Sequence, residues 1–201
     1  PARHVHAELT AHDGDRLRPV PGRQWLDAAA PYDFRVTDDS IAPDLDVTRV
    51  MAASSEQIWA AWIDPAAIAR WWGPDGFTSA VRELDVRDGG RFDVMMQGPD
   101  GSTFEKNLYL FDNVEAGERI TYVHQGSQEY GLAPSRSVVT IEEVDAGVRT
   151  LVTLRSFYAS ESDRNRHLVD FQAVAGAKQL LERLEEVAVR GAGTVSSMSE
   201  G

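Results

Sequence analysis

Apolar positions along this chain change their period twice. In DLDVTRVM, residues 44–51, Leu45, Val47 and Arg49 alternate with Asp46, Thr48 and Val50, the two-residue period of a strand. SSEQIWAAWIDP follows, with Ile58, Ala61 and Trp62 on one helical face, Ser54 or Ser55 available as a cap, and Pro65 as an interruption. PAAIARWW then predicts a second short helix with Pro65 in its first turn. Strand-like segments succeed one another at 77–86, 91–97, 103–112, 118–125, 136–144 and 148–157. Gly-Pro-Asp-Gly at 73–76 and 98–101 and Arg-Asp-Gly-Gly at 87–90 separate several elements, Pro setting φ and Gly accepting positive φ. The period changes again at Asn165. Apolar residues at 168, 171, 174, 177, 181, 184 and 188 predict one long amphipathic helix to Arg190, with Lys178, Glu182, Arg183, Glu185 and Glu186 on its outer face.

A strand, two short helices, six strands and a long helix make an α+β chain. The expected architecture is a strongly curved antiparallel sheet wrapped around the C-terminal helix. Space remains at one end of such a grip, and the two short helices after the first strand are placed to roof it. The patterned body is 44–190. Residues 1–43 are a polar, irregular N-terminal extension compatible with a short hairpin over Asp13-Gly14, and residues 191–201 have the small, polar composition of a disordered tail.

Composition narrows the function classes. No run approaches the ~20 apolar residues of a membrane span, and no basic segment precedes an apolar one as in a secretory signal, so a cytoplasmic location is expected. Cysteine is absent from the 201 residues, which excludes disulfides and thiolate chemistry. The net charge of −12, with basic residues scattered singly, disfavours nucleic acid and anionic membranes as partners. Phosphate-loop, dinucleotide and nucleophile-elbow motifs are missing, and no side-chain pair suggests covalent catalysis.

Longer motifs carry a resemblance. VTRVMAASSEQIWAAWIDPAAIARWWGPDGFTSAVRELDVRDGGRFDVMMQGPDG and the closing GAKQLLERLEEV resemble the START-like helix-grip superfamily (SRPBCC), in the branch of bacterial homologues of the heat-shock-protein ATPase activator. The resemblance covers about residues 44–190 and implies the helix-grip fold with a cavity between sheet and helix. Members of that superfamily bind lipids or other hydrophobic small molecules, cyclise polyketides, sequester reactive antibiotics or assist chaperones. The sequence departs from the family pattern at Ala177, where an indole is common, and in its N-terminal extension.

A hydrophobic or aromatic small molecule is therefore the expected partner, with no cofactor. Trp62 lies four residues after Ile58, and Trp71 three after Ile68, so both are expected to face the cavity. Trp72, about 100° further round a helix, is expected to be a packing residue. Strand alternation turns Phe92, Val94 and Met96 inward, and likewise Ile120, Tyr122 and His124. Between 103 and 112 the alternation leaves two sides open, Tyr109 and Phe111 or Leu108 and Leu110. Phe171, Val174 and Ala177 supply the helix side. Arg155 is read either as a ligand contact or as a solvated strand-end residue. A cyclase-type or lyase-type enzyme using Tyr122 and His124 as acid and base is the alternative, and a protein-interaction module acting through residues 1–43 is a third. His4 and His6, with His12, Asp13 and Asp15, fall short of a preorganised metal site, and no metal is expected.

Overall fold

A computed structural model of the chain describes residues 42–195, all within the compact unit Pro31–Gly201. The expected N-terminal hairpin, the histidines at 4, 6 and 12 and any partner surface on residues 1–41 lie outside the described residues. Strand β1 (Leu45–Met51) is followed by α1 (Ser55–Ile63) and α2 (Pro65–Trp71). Next come β2 (Thr78–Leu84), β3 (Arg91–Gln97), β4 (Thr103–Glu115), β5 (Arg119–His124), β6 (Ser135–Val144) and β7 (Arg149–Tyr158). Helix α3 (Glu161–Asn165), a π turn (Arg166–Asp170) and helix α4 (Ala173–Val195) complete the body.

The seven strands form one antiparallel sheet in the order β1-β7-β6-β5-β4-β3-β2. The chain thus leaves one edge after β1, crosses through α1 and α2, and re-enters at the opposite edge. Register shifts between Val81 and Glu83, Val94 and Met96, and Phe111 and Asn113 fall in three successive pairings. Such bulges bend a strand and raise its twist, and here all three fall on the β2–β5 side of the sheet.

Local sequence explains the two short helices. Ser54 Oγ accepts from the Gln57 N–H at 3.3 Å, while the Gln57 side chain accepts from the Ser54 N–H at 2.8 Å, a reciprocal capping box. Asp64 ends α1 and caps α2, its Oδ1 accepting from the Ala66 N–H at 2.9 Å, with Pro65 at the first helical position. One residue thereby sets the angle between the helices.

Helix α4 buries Ala177, Leu181, Leu184, Val187 and Ala188 in the core. The single helix expected from Asn165 is in fact broken. The π turn is followed by Phe171 at φ −99° and ψ 2°, and by Gln172 in the left-handed region at φ 48°. The chain leaves the helical path at Phe171 and Gln172, so Phe171 falls out of the inward stripe and is 44% exposed; Val174, in the first turn of α4, is 41% exposed at the helix end. The far end differs as well: α4 continues to Val195, into the stretch read as tail.

Arg183 is a second departure from the amphipathic reading. Instead of facing water, its guanidinium donates to the carbonyl oxygens of Gly73 (2.8 Å), Pro74 (2.7 Å), Arg70 (2.8 Å) and Phe77 (3.4 Å). One turn earlier, Gln179 accepts from the Asp75 N–H at 3.2 Å. The loop after α2 has no ladder to satisfy its carbonyls, and α4 supplies the donors. Gly73 makes this loop possible, because its φ of 107° is open to glycine at little cost.

Candidate functional site

The concave end of the sheet carries a continuous cluster of rings. Trp71 is fully enclosed and donates from Nε1 to the Ala61 carbonyl at 2.9 Å. Trp62 packs on it edge to face at 4.8 Å between ring centroids. Trp72 touches more of the cluster than either. Its ring meets Trp71 at 5.3 Å, Trp62 at 5.6 Å, Phe92 at 5.0 Å and Tyr109 at 5.1 Å, all with T-shaped geometry. Edge-to-face contacts place positive ring edges on negative faces, which orders the cluster as well as burying it.

The adjacent tryptophans share one side because the helix ends between them. The Trp72 N–H still closes the last turn on Ile68, but its φ of −73° and ψ of 126° are extended. The 100° separation of helical neighbours therefore does not apply at this pair. Trp71 belongs to the core and Trp72 borders open space, the reverse of the assignment from helical spacing.

That space is a cavity of about 190 Å³. Trp72, Met96 and Tyr109 bound it on the sheet side, Gly73 and Pro74 on the loop side, and Gly176, Ala177 and Leu180 on the side of α4. A Cβ added at Gly176 would meet nothing within 4 Å. The small residues of α4 thus leave the room, and the aromatic residues shape it. A second hollow of about 390 Å³ lies among α1, α2 and α4, floored by Ala60, Ala61, Ala67 and Ala188 and edged by Glu56, Asp64 and Arg70. It is larger, but no aromatic residue lines it.

Of the residues named from sequence, Met96, Tyr109 and Ala177 border the 190 Å³ cavity. Trp62, Trp71, Phe92, Val94 and Tyr122 lie in the surrounding packed core. Trp72, Gly73, Pro74, Gly176 and Leu180 were not anticipated. The doubled Trp before a Gly-Pro turn was the available signal, since glycine ends the helix and frees Trp72 from the helical phase. Tyr109 and Phe111 prove to be the inward pair on β4, paired across to His124 and Tyr122. Arg155 pairs with Asp46 on the neighbouring strand at 3.2 Å and is absent from the cavity wall.

Burial governs the ionisable groups. It pushes the Tyr109 phenol up to about 12, with a hydrogen bond from Trp72 pulling the other way. Tyr122 is also raised by burial, opposed by a hydrogen bond with Ser137, whose hydroxyl in turn meets that of Ser156 at 2.9 Å. His124 is lowered to about 4, first by loss of water and then by His167 nearby. The Tyr122 phenol is engaged with Ser137, and the His124 imidazole lies against Tyr109 at 4.9 Å. No cluster of metal-ligating side chains occurs among the described residues, nor does any helix there have the length and apolarity to cross a membrane.

The model of the family "Activator of Hsp90 ATPase homolog 1-like protein" (AHSA1) matches residues 52–188, and the chain belongs to this family. No curated protein matches. Among solved structures, the chain is similar to a protein from Arthrobacter aurescens at 24% identity and a TM-score of 0.64, over 72% of this chain and 85% of that one. It is similar to protein Ms6760 from Mycobacterium smegmatis at 25% identity and a TM-score of 0.62, over 73% and 91% of the two chains. It also resembles the AHSA1 protein from Silicibacter pomeroyi, with 19% identity, a TM-score of 0.58 and coverage of 73% and 98%. The shared region is the helix-grip body.

Proposed function

We propose that this AHSA1-family chain is a binding protein for a neutral aromatic small molecule, held in the cavity bordered by Trp72, Tyr109 and the first turns of α4. The observation that carries this reading is the pairing of an aromatic wall with small residues at Gly176 and Ala177. Apolar walls with few polar groups are the usual character of ligand sites. Size sets the class. An apolar cavity of about 150 Å³ accepts benzene, so the 190 Å³ here suits a compound of one or two rings. Lipid-sized and polyketide-sized ligands exceed it. The described residues favour binding over turnover, because the Tyr122 phenol is engaged away from His124.

Titration of the full chain with naphthalene, followed by calorimetry, tests the reading. Saturable one-to-one binding that is abolished by Ala177→Trp supports it. Absence of saturable binding, or binding indifferent to that substitution, overturns it.

A further inference from the structure

The sheet has a second face, opposite the cavity. Register turns Tyr122, Ser137 and Ser156 towards the core, so the alternate rows Thr121–Val138–Arg155 and Val123–Arg136–Phe157 point outwards. Helices α1, α2 and α4 bury their stripes on the inward side. The π turn is on that side too, with His167 stacked on Tyr158, which shares its parity with Ser156. Among the described residues no helix is left to cover the outer rows.

The margins of this outer face are wet. Asp46 and Thr48 on β1 and Arg91 on β3 are exposed, and Val50 is 48% exposed. The centre is dry. Thr121 is 1% exposed, Val138 7%, and Val123 and Phe157 9% each. Arg136 reaches over β5 to Asp112 at 3.1 Å, with its side chain only 8% exposed. An arginine on an open sheet face keeps its charged head in water, and a valine there stays as open as Val50. Water is therefore excluded from the centre by chain outside residues 42–195.

Residues 196–201, SSMSEG, have a single large apolar side chain to offer. Residues 31–41, PYDFRVTDDSI, alternate Tyr32, Phe34 and Val36 with Asp33 and Arg35, and the compact unit that holds the sheet begins at Pro31. The point where this segment meets the sheet is fixed. The Asp44 N–H donates to the Ser156 carbonyl at 3.0 Å, and the Asp44 carboxylate accepts from the Tyr158 N–H at 2.9 Å. Chain preceding Asp44 thus arrives beside Phe157, at one end of the dry rows. From β7 to β4 is three strand spacings, about 14 Å, and about ten extended residues reach roughly 33 Å. Length, entry point and apolar alternation agree.

We propose that the outer face of β4–β7 is the docking surface for residues 31–41 of the same chain, with Val123, Val138 and Phe157 as its apolar centre. The segment ahead of β1 is then part of the folded body, and not an arm free to recruit a partner protein. This assignment is independent of the cavity, which lies on the opposite face.

Methyl NOEs on the full chain test it without any substitution. Val123 and Val138 methyl groups should show cross-peaks to the ring protons of Tyr32 or Phe34. A soluble gadolinium chelate should broaden the Val50 methyls and leave those of Val123 and Val138 sharp. The absence of cysteine permits a second measurement. In Thr121→Cys the thiol should react with dithionitrobenzoate at least a hundredfold more slowly than in Thr48→Cys. Adding Tyr32→Ala and Phe34→Ala to Thr121→Cys should speed that reaction at least tenfold. Cross-peaks that arise only between differently labelled copies would give the face to a second copy of the chain instead. Cross-peaks to rings outside 31–41, or broadened Val123 and Val138 methyls with equal thiol reactivity at 121 and 48, would equally overturn the assignment.

Discussion

The Trp72 indole stands edge-on to the Tyr109 ring, centroids 5.1 Å apart and planes at 81°, so that a residue just past a helix end and one in the middle of β4 jointly bound the cavity. Its neighbour Trp71 is buried with its Nε1 on the Ala61 carbonyl. The two tryptophans should therefore respond differently to the same change. Trp71→Phe removes a buried hydrogen bond and part of a packed ring, and should cost about 2–4 kcal/mol by urea denaturation, with naphthalene affinity little changed. Trp72→Phe should weaken naphthalene binding at a smaller cost in stability. Equal losses of affinity in both variants would contradict the division of roles.

Ala177→Trp asks whether the cavity accepts an indole from the helix side. Overpacking a filled core costs about 1–3 kcal/mol. Ala177 borders about 190 Å³ of space, so the melting temperature should hold or rise while naphthalene binding is lost. A clear fall in melting temperature with unchanged affinity would show that residue 177 faces packed atoms.

Arg183 ties α4 to the roof loop through the carbonyls of Arg70, Gly73, Pro74 and Phe77. Arg183→Met keeps much of the aliphatic stem and removes the donors. Hydrogen bonds from a charged group contribute about 1.5–3 kcal/mol each in favourable cases, and this side chain is only part-buried, so a net loss near 2–3 kcal/mol is expected. Amide exchange should accelerate in residues 72–77 ahead of the sheet. Arg183→Lys should fail to restore protection, because an ammonium cannot reproduce the guanidinium fork.

His124 makes stability depend on pH. Its folded-state pKa is about 4, below the ordinary histidine value of 6.5, because burial removes its water and His167 adds repulsion. His167 is lowered as well, chiefly by burial, with Asp163 opposing and Arg166 reinforcing the shift. The unfolded chain therefore binds more protons than the folded one between pH 6.5 and 4, and stability falls as pH drops through that window. The two Tyr rings facing these imidazoles, Tyr109 and Tyr158, both titrate near 12 and stay neutral throughout. His124→Phe should reduce the slope, removing a share that amounts to at most about 3 kcal/mol and leaving that of His167. Urea midpoints at pH 7.5, 6, 5 and 4.5 in wild type and variant measure it, and parallel profiles would rule out His124 as the origin.

Much of the architecture was legible from periodicity. The 91–97 strand is found as read, the other strands agree to within a few residues, and the capped helix carrying Ile58, Ala61 and Trp62 follows from short-range spacing. These features depend on side chains a few residues apart, which a sequence states directly. Phe92, Val94, Ile120 and Tyr122 face the core for the same reason, since a strand alternates whatever it packs against.

Tertiary structure decided where the periods stop. Glycine at 73, with Trp72 extended, lets both indoles turn to one side, and left-handed Gln172 breaks the last helix and leaves Phe171 outside it, at the surface. Arg183 looks like an outer-face charge until the roof loop brings unpaired carbonyls to it. His124 and His167 are 43 residues apart in sequence, and only the pairing of β5, β6 and β7 with the π turn laid over them places their rings at one end of the sheet. Periodicity determines which way a residue points within its own element. Which residue fills, leaves open or partners the space beyond it depends on contacts between distant elements, and those exist only once the chain has closed on itself.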